Sequence, residues 1–269
     1  MNRTPLLFIH GPWLHATSWQ PWIEHFTQRG YAPIAPGWPG QPPTVEAARR
    51  HPEAVAELEL DDITDHYTRI ARLLPAPPVI IGHSVGGLIA QKLLGHNLAQ
   101  AAIAIAPAPI NGVPVPRSPT HACSNPPQLN DPYTISQPIT LTAEQFRHAF
   151  AHTLTPEESA ALFVSHTVPA PNRHLLEPAF ANGTTDTRTA VDTNNTTRGP
   201  LLLISGQEDR LVPDITTRTT YKLYGDSTAI TELKQYPDRC HSLTIDSGWH
   251  TIADHISTWL TRHYTPTAY

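Results

Sequence analysis

Ten residues, Val79-Ile80-Ile81-Gly82-His83-Ser84-Val85-Gly86-Gly87-Leu88, restrict the fold more than any other part of this 269-residue chain. A run of β-branched residues leads into Gly-His-Ser-Val-Gly-Gly, and Leu88, Ile89, Leu93 and Leu94 follow at helical spacing. Strand, sharp turn and helix are thus written with no residue to spare. Glycines at 82 and 86 leave room where the strand end and the helix crowd together, while Ser84 sits at the apex, where a residue with a side chain is strained. The helix that starts there aims its free N–H groups and positive dipole end at the same point, which favours negative charge developing beside Ser84. A serine held this way is a candidate nucleophile.

The pattern on either side is repetitive. Leu6–Ile9 reads as a buried strand, and Ser18–Arg29 as a helix carrying Trp19, Trp22, Ile23 and Phe26 on one face, ended by Gly30. Tyr31–Ala35 is the next strand, with the turn-rich exit Pro36-Gly37-Trp38-Pro39-Gly40. After a polar, Pro-containing stretch over 41–60, a helix from Asp61 to Leu74 places Ile63, Tyr67, Ile70 and Leu74 inward and is stopped by Pro75-Ala76-Pro77-Pro78. Ala101–Ala106, Leu201–Ser205 and Thr231–Tyr236 are further strands, Asp214–Tyr224 is a helix, and a last one carries Trp249, Ile252, Ile256, Trp259 and Leu260. Alternation of strand and helix predicts an α/β fold with a mostly parallel sheet flanked by helices. Between Pro107 and Gly199 the alternation breaks, with helical pattern only near 143–153 and 157–166. An interruption that long is no ordinary loop. The expected organisation is a core of residues 1–106 and 200–269 with an inserted helical cap over 107–199.

Three loops at the carboxyl ends of strands carry chemistry, the side on which such sheets place their ligands. Gly206-Gln207-Glu208-Asp209 follows one strand, and a carboxylate there can hold a histidine's tautomer and stabilise its charged form. Asp209 is the candidate, with a role as cap of the helix after Pro213 as the alternative. Of 16 histidines, His241 lies between the last strand and the last helix, where a general base can approach Ser84. His250 and His255 fall within the final helix pattern. For the oxyanion, the Val85 amide follows the nucleophile directly, and an HG turn such as His10-Gly11 after an early strand is the usual source of a second donor. Here the next residue is Pro12, which has no N–H. Either Trp13 turns its amide into the site or the oxyanion hole is incomplete. Trp38 and His83 are expected beside the substrate, although a tryptophan packed in the core would read the same way.

Composition removes several classes. A net charge of −5 with mixed signs implies neither nucleic acid nor an anionic membrane surface as a partner. No run approaches a membrane span, and the apolar stretch at Leu6–Ile9 is too short for a signal sequence, so a cytoplasmic location is expected. Cys123 and Cys240 have no metal-ligand spacing and leave a disulfide open. No metal or cofactor is expected, and the oligomeric state is not written in the sequence.

Taken together, His10-Gly11, Gly82-His83-Ser84-Val85-Gly86-Gly87, Gly206-Gln207-Glu208-Asp209 through Val212-Pro213, and His241 resemble the α/β-hydrolase superfamily, in its chain order of Ser, Asp, His. The resemblance implies an eight-stranded type of sheet lacking its first two strands, with the insertion where family lids occur. It implies acyl transfer by Ser84, His241 and Asp209 on a small-molecule substrate, an apolar ester or lactone of small or medium size. The serine separates the chain from the superfamily's epoxide hydrolases and dehalogenases, which use aspartate there. Two other outcomes fit the same scaffold: a lyase or cyclase, for which Pro12 speaks, and a non-catalytic ligand receptor.

Overall fold

The computed structural model describes residues 3–114, 137–171, 175 and 186–263. Six strands form one all-parallel sheet: β1 (Thr4–Ile9), β2 (Tyr31–Ile34), β3 (Val79–His83), β4 (Ala101–Ile105), β5 (Leu201–Gly206) and β6 (Thr231–Tyr236), in the order β2-β1-β3-β4-β5-β6. Side chains alternate across a strand, and the sheet's two faces fill separate cores accordingly. Leu6, Phe8, Val79, Ile81, Ile103, Leu202 and Ile204 pack against α1 (Gln20–Gln28) and α8 (Trp249–His263) through Trp22, Phe26, Ile252, Ile256 and Trp259. Leu7, Ile9, Ile80, Ala102, Leu201 and Leu203 face the opposite core, built from α3 (Leu60–Leu73), α4 (Val85–Gly95) and apolar residues of the insertion. Both faces are covered, which is why the strands read as continuous apolar runs.

Helix ends follow local chemistry. Helix α3 starts one residue earlier than the pattern predicts, because Asp62 accepts the Glu59 N–H at 2.9 Å in a capping box. It ends at Leu73, so Leu74 lies past the helix, extended ahead of Pro75. The remaining elements are α2 (Val45–Arg50) and α7 (Asp214–Leu223).

In the chain between β4 and β5, the described residues hold α5 (Ala143–Phe150) and α6 (Pro156–His166), close to the predicted helical stretches. Thr142 and Gln145 cap α5 reciprocally, which sets its start. It stops at Phe150, before the predicted Thr153, leaving a tight turn into α6. Arg49 fastens α6 to the body of the protein by donating to the carbonyls of Phe163, Val164 and Thr167 at 2.8–2.9 Å, a cation on a helix C-terminus. Isolated bridges Leu14–Thr167 and Ile139–Ala170 join the same segment to the loop after β1 and to itself. Cys123 lies outside the described residues; Cys240 is buried. Among the described residues no helix is long and apolar enough to cross a membrane.

Candidate active site

Ser84 caps α4 with φ 57 and ψ −119, a left-handed backbone that a serine adopts at a cost of about 1–3 kcal/mol. The tertiary structure enforces the turn. A Cβ on Gly82 would stand 2.0 Å from the Gly86 carbonyl oxygen, and one on Gly86 would stand 2.1 Å from that of Ile9. The Ser84 N–H donates to Ile105 at 3.0 Å, and its carbonyl accepts from Gly87, Leu88 and Ala108. The side chain is buried, and its hydroxyl has no hydrogen-bond partner among the described residues.

Asp209 and His241 meet as the sequence predicts. The His241 Nδ1–H donates to Asp209 Oδ2 at 2.6 Å, with both side chains fully buried. The second carboxylate oxygen accepts the Leu211 and Val212 amides at 2.8 Å each, so Asp209 caps its own loop and holds the histidine at once. The helix after Pro213 takes no side-chain cap from Asp209, whose bonds stay within the loop that precedes it. Glu208 is exposed on the neighbouring position. Among the described residues His241 Nε2 is buried without a partner, as is Ser84 Oγ, and no hydrogen bond joins the two. That bond is of the kind that forms or tightens when a substrate is positioned.

The HG loop comes to the same place. A Cβ on Gly11 would lie 2.7 Å from Ser84 Cβ and 3.3 Å from its Oγ, so only glycine lets this loop pass the serine so closely. Beyond Pro12, Trp13 is left-handed with φ 63. Its indole N–H donates to Ile139 at 3.1 Å and its carbonyl accepts from Val168 at 2.9 Å, binding the loop to the insertion. Val85 is the first residue of α4, where an amide has no acceptor within its own helix.

Trp38 is buried and stacks on His10 at 4.8 Å with an interplanar angle of 17°, which puts it behind the HG loop. His10 donates from Nδ1 to the Gly11 carbonyl at 2.9 Å, and burial lowers its pKa from 6.5 to about 4. His83 packs against His241: its Nε2–H donates to the His241 carbonyl at 3.0 Å, and the two rings lie 4.5 Å apart. Burial and the neighbouring imidazole push its pKa well below the usual histidine range.

Two contributors escape sequence reasoning. Phe150, from α5, sets its ring edge-on to His241 at 4.8 Å and to Trp13 at 6.0 Å, while its carbonyl accepts the Ser242 amide at 2.9 Å. Its spacing with Phe146 announces a buried helix face but not what the face meets. Asp246 is buried and accepts from Ser242 Oγ at 3.0 Å, the Gly248 amide at 3.0 Å and the Arg239 guanidinium. A Cβ on Gly248 would collide with that guanidinium. No sequence template links a carboxylate five residues after a histidine to the loop that carries it. A groove of about 1200 Å³ is lined by α3 residues such as Asp62 and Arg69 with Glu53 and Pro138; Ser84, Asp209 and His241 are absent from its walls. Among the described residues no group of three His, Cys, Asp or Glu side chains is placed to hold a metal ion.

No curated protein sequence matches the chain. Among solved structures, the monoacylglycerol lipase of Paleococcus ferrophilus is similar with a TM-score of 0.68 at 17% identity, over 96% of this chain and 94% of that one. A thermophilic esterase from Thermogutta terrifontis, with malate bound, gives a TM-score of 0.68 at 18% identity, over 97% and 91%. The pyrethroid hydrolase of Sphingobium faniae JZ-2 gives 0.64 at 16% identity, over 97% and 98%. At such identities the likeness is one of fold. Residues 6–255, nearly the whole chain, match the model of the alpha/beta hydrolase family, and the chain belongs to that family.

Proposed function

We propose that the protein is a serine hydrolase that cleaves a small or medium-sized apolar carboxylic ester or lactone. The observation that carries this is the fully buried 2.6 Å bond between Asp209 and His241, which leaves His241 Nε2 as an unpartnered acceptor in the same buried region as the strained Ser84 hydroxyl. With Nδ1–H committed to Asp209, the neutral ring has its lone pair on Nε2. In this reading Ser84 Oγ attacks the substrate carbonyl while its proton passes to His241 Nε2. Asp209 steadies the imidazolium, and the Val85 amide holds the oxyanion. Trp13 N–H is the second donor in this scheme, since Pro12 has none. His241 returns the proton to the leaving alkoxide, releasing the alcohol. It then takes a proton from water, whose hydroxide adds to the acyl-serine, and collapse frees the acid and restores Ser84.

An apolar substrate is supported by the aromatic surroundings of His241, namely Phe150 with Trp13 and Phe146. The similar structures named above as a lipase, an esterase and a pyrethroid hydrolase suit the same substrate class. In this reading the chain over 107–199 is the cap, and its α5 supplies that aromatic wall. The test is turnover of short p-nitrophenyl esters together with labelling of Ser84 by a fluorophosphonate. Burst release of p-nitrophenol and stoichiometric labelling, both lost in Ser84→Ala, are expected. Neither turnover nor labelling in the wild type would sink the proposal. Retained turnover in Ser84→Ala with loss in His241→Ala would instead assign proton-transfer chemistry without an acyl-enzyme, the reading that Pro12 favours.

A further inference from the structure

The residue before the nucleophile and the general base are 158 positions apart in the chain, yet one hydrogen bond joins them. We propose that His83 is a positioning residue for His241, holding the base's main chain in register with the elbow that presents Ser84; this rests on the hydrolase reading above. A carbonyl oxygen can only accept, so the 3.0 Å contact from His83 Nε2 to the His241 carbonyl places the proton on Nε2. Burial and the neighbouring imidazole disfavour a second proton, so the ring is neutral with its lone pair on Nδ1. That atom is buried and has no partner.

The location explains why the bond serves the base. His83 ends β3 and pairs in register with Ile105 of β4, so its ring hangs from the centre of the sheet. The bond connects that fixed point to the backbone of His241 itself, while Asp209 holds the imidazole through its Nδ1–H. Two restraints thus define the ring: Asp209 fixes its rotation, and His83 fixes the distance of its main chain from the strand that carries Ser84. The rings lie 4.5 Å apart, a separation at which two cations would repel. A neutral His83 is therefore compatible with His241 taking the serine's proton, where a lysine or arginine donor would oppose it.

The test compares His83→Leu and His83→Gln, the first lacking a donor and the second retaining an amide N–H of similar reach. His83→Asn, too short to span the contact, repeats the loss with a polar side chain should the leucine variant not fold. Two readouts are taken: the rates of p-nitrophenyl acetate turnover and fluorophosphonate labelling, and the low-field proton resonance of the His241 Nδ1–H that faces Asp209. His83→Leu or His83→Asn is expected to lower kcat and the labelling rate roughly ten- to a hundredfold with KM within about twofold, the effect of a slightly misplaced base. The low-field resonance should move in these variants. His83→Gln should recover both. Wild-type rates in His83→Leu overturn the proposal, as does equal loss in all three variants with an unmoved resonance. If the wild type itself shows neither turnover nor labelling, the hydrolase reading fails separately. The resonance then decides alone: a shift in His83→Leu or His83→Asn supports the positioning role, and no shift overturns it.

Discussion

Ser84 holds the two demands of the site in one residue. Its left-handed backbone costs stability and is kept because the turn lifts the hydroxyl clear of the strand at the start of α4. Ser84→Gly should therefore raise stability by about 1 kcal/mol, since glycine adopts this conformation without strain, while removing the hydroxyl that the proposed reaction uses. A higher urea midpoint at unchanged slope, alongside loss of labelling, is the expected result. Neighbouring glycines behave in the opposite sense. Gly86→Ala would drive a methyl into the Ile9 carbonyl 2.1 Å away, which no rotamer relieves. His83 and Gly11 complete this shell, one tying the base to the strand and the other letting the HG loop touch the serine.

At the level of elements, the loop from Arg239 to Gly248 is the least regular part of the site and the most heavily tethered. It carries His241, yet neither flanking element orients it directly. Asp246 does so by accepting from Arg239, Ser242 and Gly248, and the insertion adds the Phe150 carbonyl on Ser242 and Thr153 Oγ1 on Cys240 Sγ at 3.0 Å. Burial pushes the Asp246 carboxyl above its usual pKa, and Arg239 pulls it back. Removing one partner of such a pair leaves the other charge uncompensated. Asp246→Ala should cost about 3 kcal/mol, read as a lower urea midpoint. Activity should fall further than stability explains, because Ser242 is released beside the base. Helix α5 joins the same tether. Under the cap proposal, this end of the insertion stays fixed to the base loop while substrate enters elsewhere.

For the molecule as a whole, the sheet concentrates neutral histidines near its carboxyl end. His10 has a folded pKa of about 4 against 6.5 for the free side chain, lowered by burial, and His83 is displaced in the same direction. The unfolded chain therefore binds protons that the folded one refuses. Stability carried by these groups is complete above pH 6.5 and is lost as pH falls toward 4. From His10 alone the loss by pH 5 is about 2 kcal/mol. Urea unfolding at pH 7 and pH 5 should show a drop at least that large. The drop should shrink by roughly that amount in His10→Asn, which does not titrate in this range.

Local pattern was enough for the strands, the helices and the elbow, because each is dictated by spacing along the chain: near-continuous apolar runs in the central strands of a sheet covered on both faces, and glycines where backbones cross. Position alone also put Asp209 and His241 on loops after successive strands, and the folded chain brings the two side chains into contact. Contacts between distant segments were decided only on folding. Trp38 became the stacking partner of His10, His83 turned to the His241 carbonyl, and Phe150 and Asp246 entered the site from places no motif marks. A side chain's periodicity says which face of its element is buried. What that face meets depends on how the sheet and the insertion close over one another, and only the packed chain defines that.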